Sequence, residues 1–365
     1  MKVSATREHL LEALQSIIGV VERRQTMPIL SNVLLSARDN RLRATGTDLE
    51  VELVATAEVT VQQPGEITVP GRKLFDIVRT LPEKTAVTLA REGDKVVLRG
   101  ARSRFTLSSL PASEFPTIED INTQHRLRLH ARDCRRLIDK THFAMAQQDV
   151  RYYLNGTLLE TDGKSLRAVA TDGHRLSWCE MPLEGQSGDL QQIILPRKGV
   201  LELQRLLDGQ GEIEIELGSS HIRAQIGDVR LTSKLIDGKF PEYSRVIPVQ
   251  PPRVMTAPRD ALRAALQRTA ILSNEKYRGV RLTFSAGLLT IQAHNPEHEE
   301  AEDQVVVEFT GDTLEIGFNV GYLLDALAAI ETDAVEVCLS GADSSCLIRA
   351  PGDATVKYVV MPMRL

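Results

Sequence analysis

The chain has 365 residues, 42% hydrophobic and 25% charged, the balance of a soluble globular protein long enough for two or three cores. Its net charge of −5 argues against a protein that wraps nucleic acid through bulk charge. No run of about 18 apolar residues could span a membrane, the opening Met1–Glu8 shows no signal peptide, and four cysteines without CxxC spacing read as reduced core thiols of a cytoplasmic protein.

The predicted elements follow one order three times. A helix opens the chain, with Leu10, Leu11, Leu14, Ile17 and Ile18 at helical spacing. Strands at 30–35 and 42–48 follow, joined by the polar turn Asp39-Asn40. A second helix covers 73–81, then a hairpin pairs 87–90 with 95–98. After the polar stretch 120–124 the order restarts. A helix begins near Arg132, strands 153–159 and 166–172 flank the turn 161–164, a helix runs 198–207, and 212–217 pairs with 221–224. The Pro-rich stretch 248–252 leads to a third round: a helix near Arg259, strands 278–284 and 289–295, a helix at 320–330, and a hairpin of 335–339 with 346–349.

The register is constant. Asp48, Asp172 and Asn295 end equivalent strands at intervals of 124 and 123 residues. Glu114-Phe115-Pro116 returns as Lys239-Phe240-Pro241 after 125. A period that long is a whole small domain, not a solenoid unit. The expected fold is α+β, with three pseudo-repeated domains of two helices plus antiparallel sheets, bounded at 1–122, 123–250 and 251–365. Charge is uneven: the six helical segments together carry +4, so the remainder carries −9. Relatively basic helices could face a polyanion, or simply solvent; the sixth carries no Lys or Arg.

Motifs for catalysis are weak. Gly163-Lys164-Ser165 ends like a phosphate loop, but the preceding glycine, Gly156, is too distant and the context is strand–turn–strand. Asp172, His174 and Arg175 could do acid–base work, yet neighbours on a strand or turn point different ways. His294 to Glu300 could be a metal loop, but the first copy's equivalent, 46–52, lacks histidine. A hydrolase built on Asp172, His174 and the 294–300 loop is one alternative; a repeat scaffold without a nucleic-acid role is another. Trp178 reads as core.

Five strings together resemble the bacterial sliding DNA clamp, the β subunit of the DNA polymerase III holoenzyme. They are Asp149-Val150-Arg151-Tyr152-Tyr153-Leu154-Asn155-Gly156, Ala170-Thr171-Asp172-Gly173-His174-Arg175-Leu176, Leu195-Pro196-Arg197-Lys198-Gly199, Ile271-Leu272-Ser273-Asn274-Glu275-Lys276, and the closing Tyr358-Val359-Val360-Met361-Pro362-Met363-Arg364-Leu365. The similarity covers the whole chain. It implies a non-catalytic processivity factor without cofactor or metal, each chain forming half of a closed ring. A head-to-tail homodimer would encircle double-stranded DNA without regard to sequence.

The resemblance also implies partners: the replicative polymerase catalytic subunit, a clamp-loader ATPase complex, and other replication and repair proteins carrying a clamp-binding peptide. DNA-facing positions carried over are Arg24, Arg72, Lys73, Gln148, Tyr153, Arg197 and Lys198. The partner-peptide cleft maps onto Leu154, Thr171, Gly173, His174, Arg175, Leu176, Pro241, Arg245, Val246, Val359 and Met361. A neighbouring subsite maps onto Arg151, Tyr152, Asn319, Tyr322, Ser345, Pro362 and Met363. The protomer interface would set Arg102, Arg104, Phe105 and Leu107 against Ile271, Leu272, Glu297, Glu299 and Glu300 of the other copy.

Overall fold

Helices form where apolar residues recur on one face. In the computed structural model, which describes residues 1–22, 27–118, 121–183 and 191–364, α1 (Arg7–Ile17) buries Leu10, Ala13, Leu14 and Ile17. The Thr6 hydroxyl caps its start by accepting the His9 N–H. The other helices are α2 (Gly71–Thr80), α3 (Ala131–Asp139), α4 (Arg197–Leu206), α5 (Arg259–Ala270) and α6 (Val320–Ala329). Asn319 caps α6, its side-chain oxygen accepting from Gly321 and Tyr322. Each helix falls where the sequence expects one, within two residues at the ends given for 73–81, 198–207 and 320–330.

The chain folds as two compact units. The first holds residues 1–135 and 198–235; the second holds 136–197 and 236–365. The middle copy of the repeat therefore contributes to both.

Within the first unit lie two antiparallel sheets. One runs Thr60–Gln63, Lys2–Thr6, Ala86–Glu92, Lys95–Gly100, Ser103–Ser108. The other has eight strands: Thr123–His130, Glu212–Gly218, His221–Ile226, Val229–Lys234, Val51–Glu58, Arg41–Thr47, Asn32–Arg38 and Gly65–Pro70. In the second unit an eight-stranded sheet runs Gln191–Pro196, Gly156–Thr161, Ser165–Thr171, Arg175–Pro182, Val356–Val360, Cys346–Arg349, Ala334–Leu339, Arg253–Pro258. A four-stranded sheet runs Glu300–Val306, Leu288–His294, Gly279–Ser285, Leu314–Asn319.

The threefold repeat of the sequence is a threefold repeat of sheet order. Each copy makes one four-stranded block from its early strands and another from its first and last strands. Copies are joined by strand pairing: Val229–Lys234 of the second copy pairs with Val51–Glu58 of the first, setting Leu231 opposite Leu53. In the same way Val356–Val360 of the third pairs with Arg175–Pro182 of the second, setting Tyr358 opposite Ser177. Each eight-stranded sheet is thus two copies sharing one ladder.

Turn chemistry reproduces the period. Asp48 and Asp172 each accept two backbone N–H groups just beyond themselves, at 2.8–3.0 Å. Asn295 holds the matching turn with one more residue, accepting from Glu299. Asp39 and Asn40 both have positive φ, as a tight hairpin of right-handed strands requires. Trp178 is core, as expected, with the Lys357 ammonium 4.1 Å from its ring centre. All four cysteines are free and buried, and burial pushes the Cys134 and Cys346 thiols up to about 12.

One buried hydroxyl tests this packing. Tyr358 is 1% exposed, stacks beside Phe143, and its hydroxyl has no hydrogen-bond partner among the described residues. Removing an unbonded buried polar atom should not harm the fold. Tyr358→Phe is expected to hold or raise stability, by up to about 1 kcal/mol, in chemical denaturation. A loss of that size would mean the hydroxyl is bonded.

Candidate functional site

In the second unit, Ser165–Thr171 and Arg175–Pro182 meet at a turn whose geometry is fixed by Asp172. Its carboxylate accepts the N–H groups of His174 at 2.9 Å and Arg175 at 3.0 Å, while the Thr171 hydroxyl accepts the N–H of Gly173. Gly173 has φ +90°, a backbone conformation that favours glycine, and a Cβ there would sit a tight 3.0 Å from both terminal nitrogens of Arg151.

Arg175 pins the turn in place. Its guanidinium donates to Asp172 at 3.1 Å, to Asp325 of α6 at 2.5 Å and to the Phe143 carbonyl at 2.7 Å, and lies 4.6 Å from the Tyr322 ring centre. The side chain is only 14% exposed. Arg175 and Asp172 are thus both engaged in hydrogen bonds that hold the turn. Among the described residues no three His, Cys, Asp or Glu side chains are grouped to hold a metal ion.

Around this turn is a cleft of about 180 Å³. Leu154, Thr171, Gly173, Arg175, Leu176, Pro241, Val246, Val359 and Met361 line it, all positions that the family resemblance implies. Arg151, assigned to the neighbouring subsite, and Tyr153, assigned to the DNA face, line it too. Glu242 and Tyr243 complete the wall and were not expected; their only signal was adjacency to the repeated Phe-Pro pair. His174 and Arg245 are exposed beside the cleft and do not line it. The apolar floor belongs to a core cluster of Leu158, Leu176, Trp178, Phe240 and Val359.

The subsite residues sit in the same unit. Arg151 is clasped by Asp149 at 2.9–3.0 Å, a bond that holds the Asp149 carboxyl down at about 2. Tyr152 is exposed. Asn319 donates to the Tyr277 carbonyl at 3.1 Å, and Ser345 to the Val246 carbonyl at 3.3 Å. The final residues dock: Met361 N–H donates to His174 O and Met363 N–H to Gly317 O, both at 2.9 Å, with Pro362 half-buried between them.

The expected DNA-facing residues divide between the units. Arg24 lies outside the described residues. In the first unit, Arg72 and Lys73 stand in the first turn of α2; Arg72 donates to the Val21 carbonyl at 2.9 Å and Lys73 is exposed. Lys198 is half-buried, its ammonium bridging Glu22 at 3.0 Å and Asp48. Burial works against its charge, but the two carboxylates outweigh it and raise its pKa. Lys198 is thus already paired, which sequence spacing does not reveal. In the second unit, Gln148 is exposed with φ 55°, Tyr153 is half-buried, and one terminal nitrogen of Arg197 is buried without a partner among the described residues.

The expected interface residues also divide. Arg102, Arg104, Phe105 and Leu107 lie on or beside Ser103–Ser108, the edge of the first unit's five-stranded sheet. In the second unit, Ile271 is 78% exposed just past α5, with Leu272 half-buried beside it. Glu297, Glu299 and Glu300 are exposed at the start of the edge strand Glu300–Val306.

Three family models match in sequence: the DNA polymerase III beta subunit N-terminal domain over residues 1–119, its central domain over 128–242 and its C-terminal domain over 244–364. The chain is 54% identical to a beta sliding clamp of Pseudomonas aeruginosa and 50% identical to that of Escherichia coli K12, each match covering 100% of both chains. A crystal structure of the Pseudomonas aeruginosa DNA polymerase sliding clamp with ligand superposes with TM-score 0.97, covering 100% of both chains. One of the same clamp bound to griselimycin also gives 0.97 at 54% identity, and Caulobacter crescentus pol III beta gives 0.95 at 40%, both again covering 100% of each chain. The chain belongs to the DNA polymerase III beta-subunit family, the sliding clamps that make bacterial DNA replication processive.

Proposed function

We propose that two copies of this chain close head to tail into a ring around duplex DNA, and that the ring tethers the polymerase and other partners through the second-unit cleft without catalysing a reaction itself. The observation that carries this is an unfinished pattern. Within the chain, the last strand of one copy pairs with an early strand of the preceding copy, twice. The equivalent strands left over are Ser103–Ser108 of the first copy and Glu300–Val306 of the third, and both are sheet edges. An exposed edge is a row of unpaired N–H and C=O groups. Pairing these two edges between copies repeats the internal joint, and a heterologous contact of this kind makes a closed ring when the rotation permits.

The internal joints also give the register. Leu231 faces Leu53 and Tyr358 faces Ser177. Carrying the ladders through, Phe105 holds the position of Leu231 and Tyr358, and Ala301 that of Leu53 and Ser177. Phe105 would then face the partner's Ala301, with Thr106 facing the partner's Glu300 and Arg104 facing the partner's Glu302. Arg104 would bring its charge among carboxylates. Such rim pairs favour correct register more than raw affinity.

Encirclement explains how a chain of net charge −5 works on DNA. Retention comes from topology, so phosphate contacts from Arg24, Arg72, Lys73 and Arg197 can be weak and blind to sequence. Opening would fall to an ATP-driven loader. The cleft suits short peptides: an apolar floor, polar groups from Arg151 and Thr171 at its rim, and a Met361 wall that can repack for several partners. A location in the cytoplasm follows from this role in replication.

Two experiments test the two halves of the proposal. Opposite residues of an antiparallel pair lie within disulfide range, and a one-residue slip turns a side chain to the other face. Thr106→Cys with Glu300→Cys should therefore cross-link two protomers on oxidation, whereas Thr106→Cys with Ala301→Cys should not; the reverse outcome, or no cross-link in either, refutes the register. For the cleft, deleting residues 361–365 should abolish the fluorescence polarisation signal of a labelled replicative-polymerase tail peptide while light scattering still shows a dimer. An unchanged signal would remove the cleft assignment.

A further inference from the structure

The internal joint within the first unit contains a helix-end contact as well as a strand ladder. Arg205 of α4 donates to the carbonyls of Gln15 at 3.1 Å and Ser16 at 2.5 Å, in the last turn of α1. Those carbonyls belong to the helix end, where main-chain oxygens lack helical partners and a positive charge is favoured. Glu202, three residues earlier, steadies the guanidinium at 2.8–2.9 Å. The joint is close enough that the Glu202 carboxylate occupies the space beside Gly19 that a side chain would need.

The same parts recur where the chain has no partner of its own. Strand pairing sets Pro70 and Pro196 at equivalent positions, opposite Asn32 and Gly156. Six and nine residues later come Asp76 and Arg79 in α2, matching Glu202 and Arg205 in α4. Arg79 is held ready in the same way, by Asp76 at 3.2 Å and over the Phe75 ring at 5.5 Å, with 60% of its side chain exposed. On the receiving side, α1 begins at Arg7 and α5 at Arg259, so Gln15 and Ser16 correspond to Gln267 and Arg268, and Gly19 to Ile271. Where glycine gives way to the bulky Ile271, the facing acid shortens from glutamate to aspartate, which returns the space.

We propose that Arg79 of one protomer donates its guanidinium to the main-chain carbonyls of the partner's Gln267 and the partner's Arg268, capping the partner's α5, and that this contact helps hold the ring shut. This rests on the head-to-tail reading above and adds a contact to it. The guanidinium fork spans two carbonyls at once, which a lysine ammonium does less well.

The test is a dilution series of full-length protein by sedimentation velocity, yielding the monomer–dimer Kd. Arg79→Ala should raise Kd at least about tenfold, through the loss of one charge-assisted contact at each of the ring's two interfaces, and Arg79→Lys should recover part of it. Unfolding of the monomer should stay at the wild-type temperature, because Arg79 is exposed on α2. Arg79→Ala as tight as wild type, or Arg79→Lys as weak as Arg79→Ala, overturns the contact and leaves the ring intact. A wild-type chain that stays monomeric at all concentrations removes the ring reading itself.

Discussion

Strand edges govern this protein. A sheet edge carries main-chain donors and acceptors that must be paired, covered or left to water. Within the chain, copies of one domain solve the problem by lending edges to each other, so Leu231 meets Leu53 and Tyr358 meets Ser177 in continuous ladders. The hydrogen bonds are directional and the pairing is specific, so each joint fixes register as well as contact. Side-chain ties then accumulate on the ladder: Arg205 on the end of α1, Lys198 between Glu22 and Asp48, Arg175 on Asp325. A chain built by this rule ends with one lending edge and one receiving edge unspent, and the proposed ring follows from that remainder.

The two shared joints are alike in backbone and differ in side chains, and this separates structure from function. In the second unit the floor carries Leu176 and Val359 under an open cleft. At the equivalent positions the first unit has Glu52 and Thr232, both buried. Glu52 accepts the Ile118 N–H at 2.9 Å and lies 3.9 Å from Arg230. A buried carboxylate fixed by its own chain cannot welcome an apolar peptide. One fold, used twice, yields an open cleft in one place and a closed joint in the other.

Much of this was legible in the sequence because the repeat is written in turn residues. Asp48, Asp172 and Asn295 recur where each hairpin needs a side chain to hold the backbone, and Leu10, Leu14 and Ile17 mark a helix by spacing alone. The cleft was legible at Thr171 to Leu176 and at the terminal methionines through resemblance. Less visible was anything that depends on distant pairing. No spacing shows that Val229–Lys234 lies against Val51–Glu58, that Tyr243 closes the cleft, or that Asp149 clasps Arg151. Lys198 illustrates the limit: as a letter it is a cation for phosphate, but in the fold two carboxylates already claim it.

A ring that holds DNA by topology differs from a groove binder in a way salt can expose. Phosphate contacts weaken steeply as salt rises, whereas a closed loop around a circle has nowhere to go. The decisive measurement is retention, by gel filtration in high salt, of protein loaded by its ATPase partner on nicked circular DNA, before and after a single restriction cut. Encirclement predicts that the protein stays on the circle and leaves promptly once the DNA is linear. Equal loss from circular and linear DNA would contradict it.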